Sequence, residues 1–205
     1  GEDQETLTSM ALIQSRIGNY QSTVDMLEKV VASSPDSKDA WYNLGMAREK
    51  LKQYDEALKC YDHAIGLDAN DKISWNSKGL VLLETGKLDN AIRAFERALE
   101  LDPEFGAAQD GLRISRERIA AQEIEKFARA VLALEYERNR PVSREEAFRD
   151  GGIPYANLDA VFQFLNQIDE YPIQAMTPQE RDEMETASRD VLVRSIGTGN
   201  PAGKS

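Results

Sequence analysis

A 34-residue period constrains this chain more than any other feature of its sequence. Trp41, Leu44, Gly45, Tyr54, Ala57, Tyr61 and Ala64 return 34 positions later as Trp75, Lys78, Gly79, Leu88, Ala91, Phe95 and Ala98. Shifted back by 34, the same positions hold Leu7, Met10, Ala11, Tyr20, Thr23, Leu27 and Val30, a weaker copy. Each copy closes at the same place, at Pro35, Ala69 and Pro103. A fixed period of this length marks a solenoid of helical pairs, because one unit cannot bury its apolar face without a stacked neighbour. Such arrays work as surfaces that hold other polypeptides.

Within each copy the spacing predicts two helices. Trp41, Leu44, Gly45, Ala47 and Leu51 mark the first over Asp39–Leu51, with Asp39 near its start. Ala57, Leu58, Tyr61, Ala64 and Ile65 put one apolar face on a second over Tyr54–Leu67. Gly45, Ala57 and Ala64 are small where a bulky side chain would hold paired helices apart, and Trp41 and Tyr61 fill the remaining space. Residues 72–105 repeat the design, with Gly86 turning the chain and Pro103 stopping the second helix.

The run Ala-Trp-Tyr-Asn-Leu-Gly at 40–45, Tyr-Asp-Glu-Ala-Leu at 54–58 and Asp-Pro at 102–103 resemble the tetratricopeptide repeat family. The resemblance covers about residues 4–105 and implies an all-α solenoid of three helix pairs, closed by a packing helix from about Gly106. Leu7, Thr23 and Lys78 depart from the family's Trp, Ala and Leu. The resemblance further implies that the first helix of each pair lines a concave groove. That groove would receive Thr8, Leu12, Tyr42, Met46, Asn76, Leu80 and Leu83, with Ile114 from the following helix. Leu12, Met46, Leu80 and Ile114 are one position repeated every 34 residues, an apolar ladder suited to an amphipathic peptide. The same residues also admit a purely core role. One use of such repeats is a cationic and Asn clamp on the acidic tails of heat-shock chaperones. Asn43 stands at one clamp position, but Thr8, Leu12, Ile73 and Ser77 stand where the cations belong, so this groove is not expected to grip a terminal carboxylate.

Beyond Phe105 no further full copy is legible. Residues 107–138 read as one long helix or two joined ones, striped by Leu112, Ile119, Ile124, Phe127, Ala130, Val131 and Leu134, whose first turns cap the solenoid. Asn139-Arg140-Pro141 ends it, Ser143 with Glu146 forms a capping box, and Gly151-Gly152 breaks the short helix that follows. A further helix spans Tyr155–Ile168. Thr177-Pro178-Gln179-Glu180 opens a last one to about Ile196, and residues 197–205 read as a disordered tail. The division expected is 4–121 for the solenoid with its capping helix, 122–196 for a helical module, and 197–205 for the tail.

Residues 143–168 also have the outline of a helix-turn-helix, which gives an alternative reading: a regulator whose repeats sense a peptide while this unit touches nucleic acid. Against it, Tyr155 to Glu170 holds no Lys or Arg and carries Asp159, Asp169 and Glu170, which phosphates would repel. The net charge of −11 also disfavours nucleic acid and anionic membranes as partners. No run approaches 18 uncharged apolar residues, so no membrane insertion is expected. The single cysteine excludes an internal disulfide and suits a cytoplasmic chain, although Gly1 reads as a cloning remnant and leaves open a signal or anchor ahead of it.

Catalysis finds no foothold. His63, the sole histidine, lies among Lys59, Asp62 and Gly66 and reads as a solvated side chain. Cys60 has no evident base, and no phosphate loop, HExxH or GxSxG is present. The expectation is a non-enzymatic adaptor with no cofactor or metal. Its partner is a protein or peptide, and homo-oligomerisation or occupation of the groove by the chain's own C-terminal helices stays open.

Overall fold

The computed structural model describes residues 3–167. Three antiparallel helix pairs open the chain: α1 (Gln4–Arg16) with α2 (Tyr20–Ser33), α3 (Lys38–Lys50) with α4 (Tyr54–Leu67), and α5 (Lys72–Glu84) with α6 (Leu88–Leu101). Every helix start and end recurs after 34 residues, and α7 (Gly106–Arg138) begins where a fourth pair would. Of the two readings of 107–138, one long helix or two joined ones, the structure has the first: α7 is continuous over 33 residues.

The period is written into local chemistry as well as into packing. Asp3, Ser37 and Asp71 cap the three first helices, accepting from Thr6 N, Ala40 N and Ile73 N at 2.7, 3.4 and 3.1 Å. Residues with positive φ connect the helices of each pair: Gly18 at 83°, Lys52 at 59° and Gly86 at 73°. A tie across each repeat joins Gln4 to Ser34, Lys38 to Asp68 and Lys72 to Asp102. A third set of bonds donates from a side-chain nitrogen to the loop carbonyl six residues earlier: Trp41 Nε1 to Pro35 O, Trp75 Nε1 to Ala69 O, and Gln109 Nε2 to Pro103 O, at 2.9, 3.1 and 2.8 Å. Gln109 has no sequence likeness to Trp, yet it does the same work. The repeat therefore continues into α7, past the point where the residues stop announcing it.

The core follows from the small residues. Tyr61 and Phe95 are fully buried, and a Cβ at Gly45 would approach Tyr61 to 2.7 Å, while one at Gly79 would approach Phe95 to 2.6 Å. Gly111 of α7 stands 34 residues after Ser77 and meets the same Phe95 ring, so α7 closes the stack as a fourth first helix.

A carboxylate on each second helix is bound by a cation from a helix that follows: Glu28 by Arg48, Asp62 by Lys78 at 2.6 Å, and Glu96 by Arg116 at 2.9 Å. Arg48 and Arg116 share one repeat position, whose middle member is the buried Leu82. Lys78 supplies the missing cation from one turn earlier. This accounts for the departure at Lys78: the seam keeps its ion pair by moving it along α5.

The chain divides into two compact units, Gly1–Arg118 and Ile119–Ser205. In the second, residues 119–138 of α7 accompany α8 (Arg144–Gly151) and α9 (Tyr155–Gln167). Ala128, Val131, Ala147, Ile153, Leu158 and Val161 form its core. The Ser143–Glu146 capping box is present, and Gly152 ends α8 with φ at 63°. Arg140 and Arg138 both bind Glu146, at 2.5 and 3.2 Å. The Arg140 bond, helped by the Ser143 backbone N–H, holds the Glu146 carboxyl well below the usual carboxylate range. The expected helix to Ile196, its capping box at 177–180 and the tail at 197–205 lie outside the described residues.

Candidate functional site

The predicted groove residues sit on α1, α3, α5 and the start of α7, one helix in two along the solenoid. On α5, Ile73, Asn76, Leu80 and Leu83 follow helical spacing and form one stripe. Exposure varies along it: Ile73 and Leu80 are 48% and 42% exposed, whereas Asn76 and Leu83 are buried at 7% each. Leu12 on α1 is exposed like Leu80, at 43%. Met46 and Ile114, the other two rungs, are half-buried, as are Thr8 and Tyr42.

Tyr42 and Met46 come together against Ala57, Tyr61 and Val81. The Tyr42 hydroxyl lies 3.5 Å from Ser77 Oγ, and the Tyr61 hydroxyl donates to Glu49 Oε2 at 2.8 Å. Burial, with Glu49 beside it, pushes the Tyr61 phenol far above its ordinary pKa, so it stays a donor. Thr8 Oγ1 is engaged with the backbone oxygen of Gln4. Arg118, at the far end of the stripe, donates to Leu83 O at 3.2 Å. Asn76 differs from the rest: its Oδ1 is buried and accepts no hydrogen bond from the described chain. Leaving such an acceptor empty costs about 1–3 kcal/mol. Its burial was not legible in the sequence, where Asn76 was one groove position among eight.

The residues weighed for chemistry are accounted for by packing. Cys60 is buried, and burial pushes its thiol to about 11, so it is protonated and inert at neutral pH. His63 is exposed and its ring stacks on Trp41, with centroids 4.3 Å apart and planes inclined by 18°. That stack was missed because it spans two helices. Among the described residues, no group of three or more His, Cys, Asp or Glu side chains could hold a metal, and no helix is long and apolar enough to cross a membrane.

An open cleft of about 670 Å³ lies on the other stripe of α5, where Trp75, Lys78 and Leu82 face Arg93, Arg97 and Glu100 of α6. Its cations are already engaged: Lys78 by Asp62, Arg97 by Glu100 and Arg93 by Asn90. In the second unit, the described length of α9 carries no Lys or Arg, and its Asp159 pairs with Arg144 at 3.2 Å. Asp169 and Glu170 lie outside the described residues.

Residues 39–71 and 73–105 match the sequence model of the tetratricopeptide repeat. No curated protein matches the chain. Among solved structures, the first such domain of Spaghetti (RPAP3), bound to the HSP90 peptide SRMEEVD, is 23% identical, with 57% of this chain and 93% of that one covered at a TM-score of 0.55. The Yersinia enterocolitica type III secretion chaperone SycD, in complex with a peptide of the translocator YopD, is also 23% identical, covering 56% and 92% at 0.53. MamA is 21% identical and extends further, over 82% of both chains at 0.57. Likeness at this identity is a likeness of fold, and that fold is the helix-pair solenoid described above. Sequence match and fold together place the repeat region of this chain in the tetratricopeptide repeat family.

Proposed function

We propose that the chain is a non-catalytic adaptor that holds an apolar or amphipathic segment of a partner protein along the stripe formed by α1, α3, α5 and the start of α7. The observation that carries this reading is the exposure of the apolar Leu12, Ile73 and Leu80 along that stripe, at 43%, 48% and 42%. A bound segment would cover Leu12, Ile73 and Leu80 with its apolar side chains. Related domains bind peptides, as the HSP90-peptide complex of RPAP3 and the YopD-peptide complex of SycD illustrate. The acidic peptide of the first is not the expected chemistry here, since Thr8, Leu12, Ile73 and Ser77 offer no cation to a carboxylate.

The test is affinity capture of partners from native lysate, comparing the natural chain with Leu80→Asp and Met46→Glu. Covering a half-exposed leucine is worth about 1 kcal/mol, and a carboxylate in its place adds a desolvation cost, so each change should weaken a specific partner at least tenfold. Helicity should be unchanged for Leu80→Asp, whose site is 42% exposed. A partner retained equally by both variants would refute the assignment of the groove.

A further inference from the structure

A second apolar stripe lies on α1, away from the groove. Thr6, Met10, Ile13 and Ile17 follow one another at spacings of four, three and four residues, the pattern of a helix seam. Met10, Ile13 and Ile17 are 37%, 58% and 68% exposed. Their counterparts one repeat later are not. Leu44 and Ala47 are each 2% exposed, and with the half-buried Leu51 they join Val24, Leu27 and Val31 of α2 in one core cluster. The position on α1 is thus one that elsewhere in the solenoid receives a helix, and no helix of the described residues covers it.

We infer that the stripe receives the same stripe of a second copy, α1 packing antiparallel on α1 about a two-fold axis. Two properties of α1 fit it to itself. Reversal about the midpoint of the seam sets Met10 against Ile13 of the second copy and Thr6 against its Ile17, so large faces small at the ends and medium faces medium at the centre. The charges fit in the same sense. Asp3 and Glu5 lie at the N-terminal end, and Arg16 in the last turn is the sole cation between residues 3 and 19. Antiparallel pairing brings the acidic end of each helix toward the Arg16 of the other and aligns the helix dipoles favourably. Parallel pairing would set like charges side by side.

One pair of 13-residue helices buries less than the roughly 1,200 Å² of a standard stable interface, so the dimer is expected to be weak, with a Kd on the order of 10–100 µM. The net charge of −11 on each copy opposes association at low salt and is screened beyond about 8 Å at 0.15 M.

Sedimentation velocity on the full chain, over about 5–500 µM at 0.15 M salt, should show the mass rising from monomer to dimer and no further. Ile13→Glu with Ile17→Glu should remain monomeric throughout, while circular dichroism stays unchanged because both side chains are exposed. Arg16→Glu should weaken the dimer at least fivefold, and adding Glu5→Arg to it should restore association. A natural chain monomeric at every concentration would overturn the inference. So would a dimer indifferent to the Ile13 and Ile17 changes, assembly beyond the dimer, or a charge exchange that fails to restore what Arg16→Glu lost.

Discussion

Substituting Gly111 by alanine tests whether α7 closes the repeat stack in the way the packing of Phe95 indicates. In a helix interior, Ala for Gly is ordinarily worth about 1 kcal/mol in favour of Ala. At Gly111 that gain meets a clash, because the new Cβ would lie 2.5 Å from Cε1 of Phe95. The ring has nowhere to retreat. Phe95 is 0% exposed, and the same Cε1 would lie 2.6 Å from a Cβ at Gly79, on the opposite helix. Overpacking of a close-packed core costs about 1–3 kcal/mol, so the clash outweighs propensity and a net loss of about 1–2 kcal/mol is expected. Gly66→Ala is the control. A Cβ there meets nothing within 4 Å, so propensity acts alone and stability should rise by about 0.5–1 kcal/mol. Phe95→Leu removes the ring carbon concerned. In the double variant with Gly111→Ala the loss should fall below the sum of the two single losses by at least about 1 kcal/mol.

Urea unfolding followed by tryptophan emission isolates the relevant region, since Trp41 and Trp75 both lie in the unit that ends at Arg118. If Gly111→Ala were stabilised as much as Gly66→Ala, α7 would not be seated on Phe95 and the closure of the stack would be refuted.

Three further outcomes follow from the repeat comparison and the second unit. Lys52 holds φ at 59°, where its counterparts Gly18 and Gly86 are glycines, so Lys52→Gly should gain about 0.5–1 kcal/mol in the same urea assay; a loss would contradict the left-handed assignment. Leu82→Arg alone should destabilise by about 1–2 kcal/mol, because it removes a buried leucine and crowds Lys78, whereas Leu82→Arg with Lys78→Leu should recover most of that by pairing Asp62 from the position Arg48 and Arg116 use. Strict additivity of the two changes would sink the exchange. The third concerns pH. Because the Glu146 pKa is lowered in the fold, its contribution is complete above the unfolded carboxylate range, about 4.3, and is lost as pH falls below it. Amide protection at Ser143 and Glu146 should decline as the pH falls from about 5 to 3, and Glu146→Gln should flatten that decline; an unchanged profile in the variant would assign the acid sensitivity elsewhere.

What the sequence disclosed and what it withheld divide along the range of the interactions. Helix identity and phase are local properties, carried by residues three and four apart. The expected helices over Asp39–Leu51 and Tyr54–Leu67 accordingly fall within one residue of α3 and α4. The capping box at Ser143 is likewise readable over three residues. The seams between repeats are not. Asp62 and Lys78 are 16 residues apart, while Glu28–Arg48 and Glu96–Arg116 are each 20 apart, so no single spacing reveals the ion pair. Only the fold shows that Lys78 and Leu82 have exchanged duties. The continuation of the repeat through Gln109 and Gly111 was hidden for a related reason. A sequence comparison asks for the same residue, whereas the stack asks only for a donor that reaches Pro103 O and for a site with no Cβ against Phe95. The groove lies between these cases. Its positions are those the family resemblance implies, and the contrast between the exposed Leu80 and the buried Asn76 is not given by the period. A 34-residue period can therefore say which positions line the face proposed for a partner, while how far each of them stands open is set by neighbours that the period does not name.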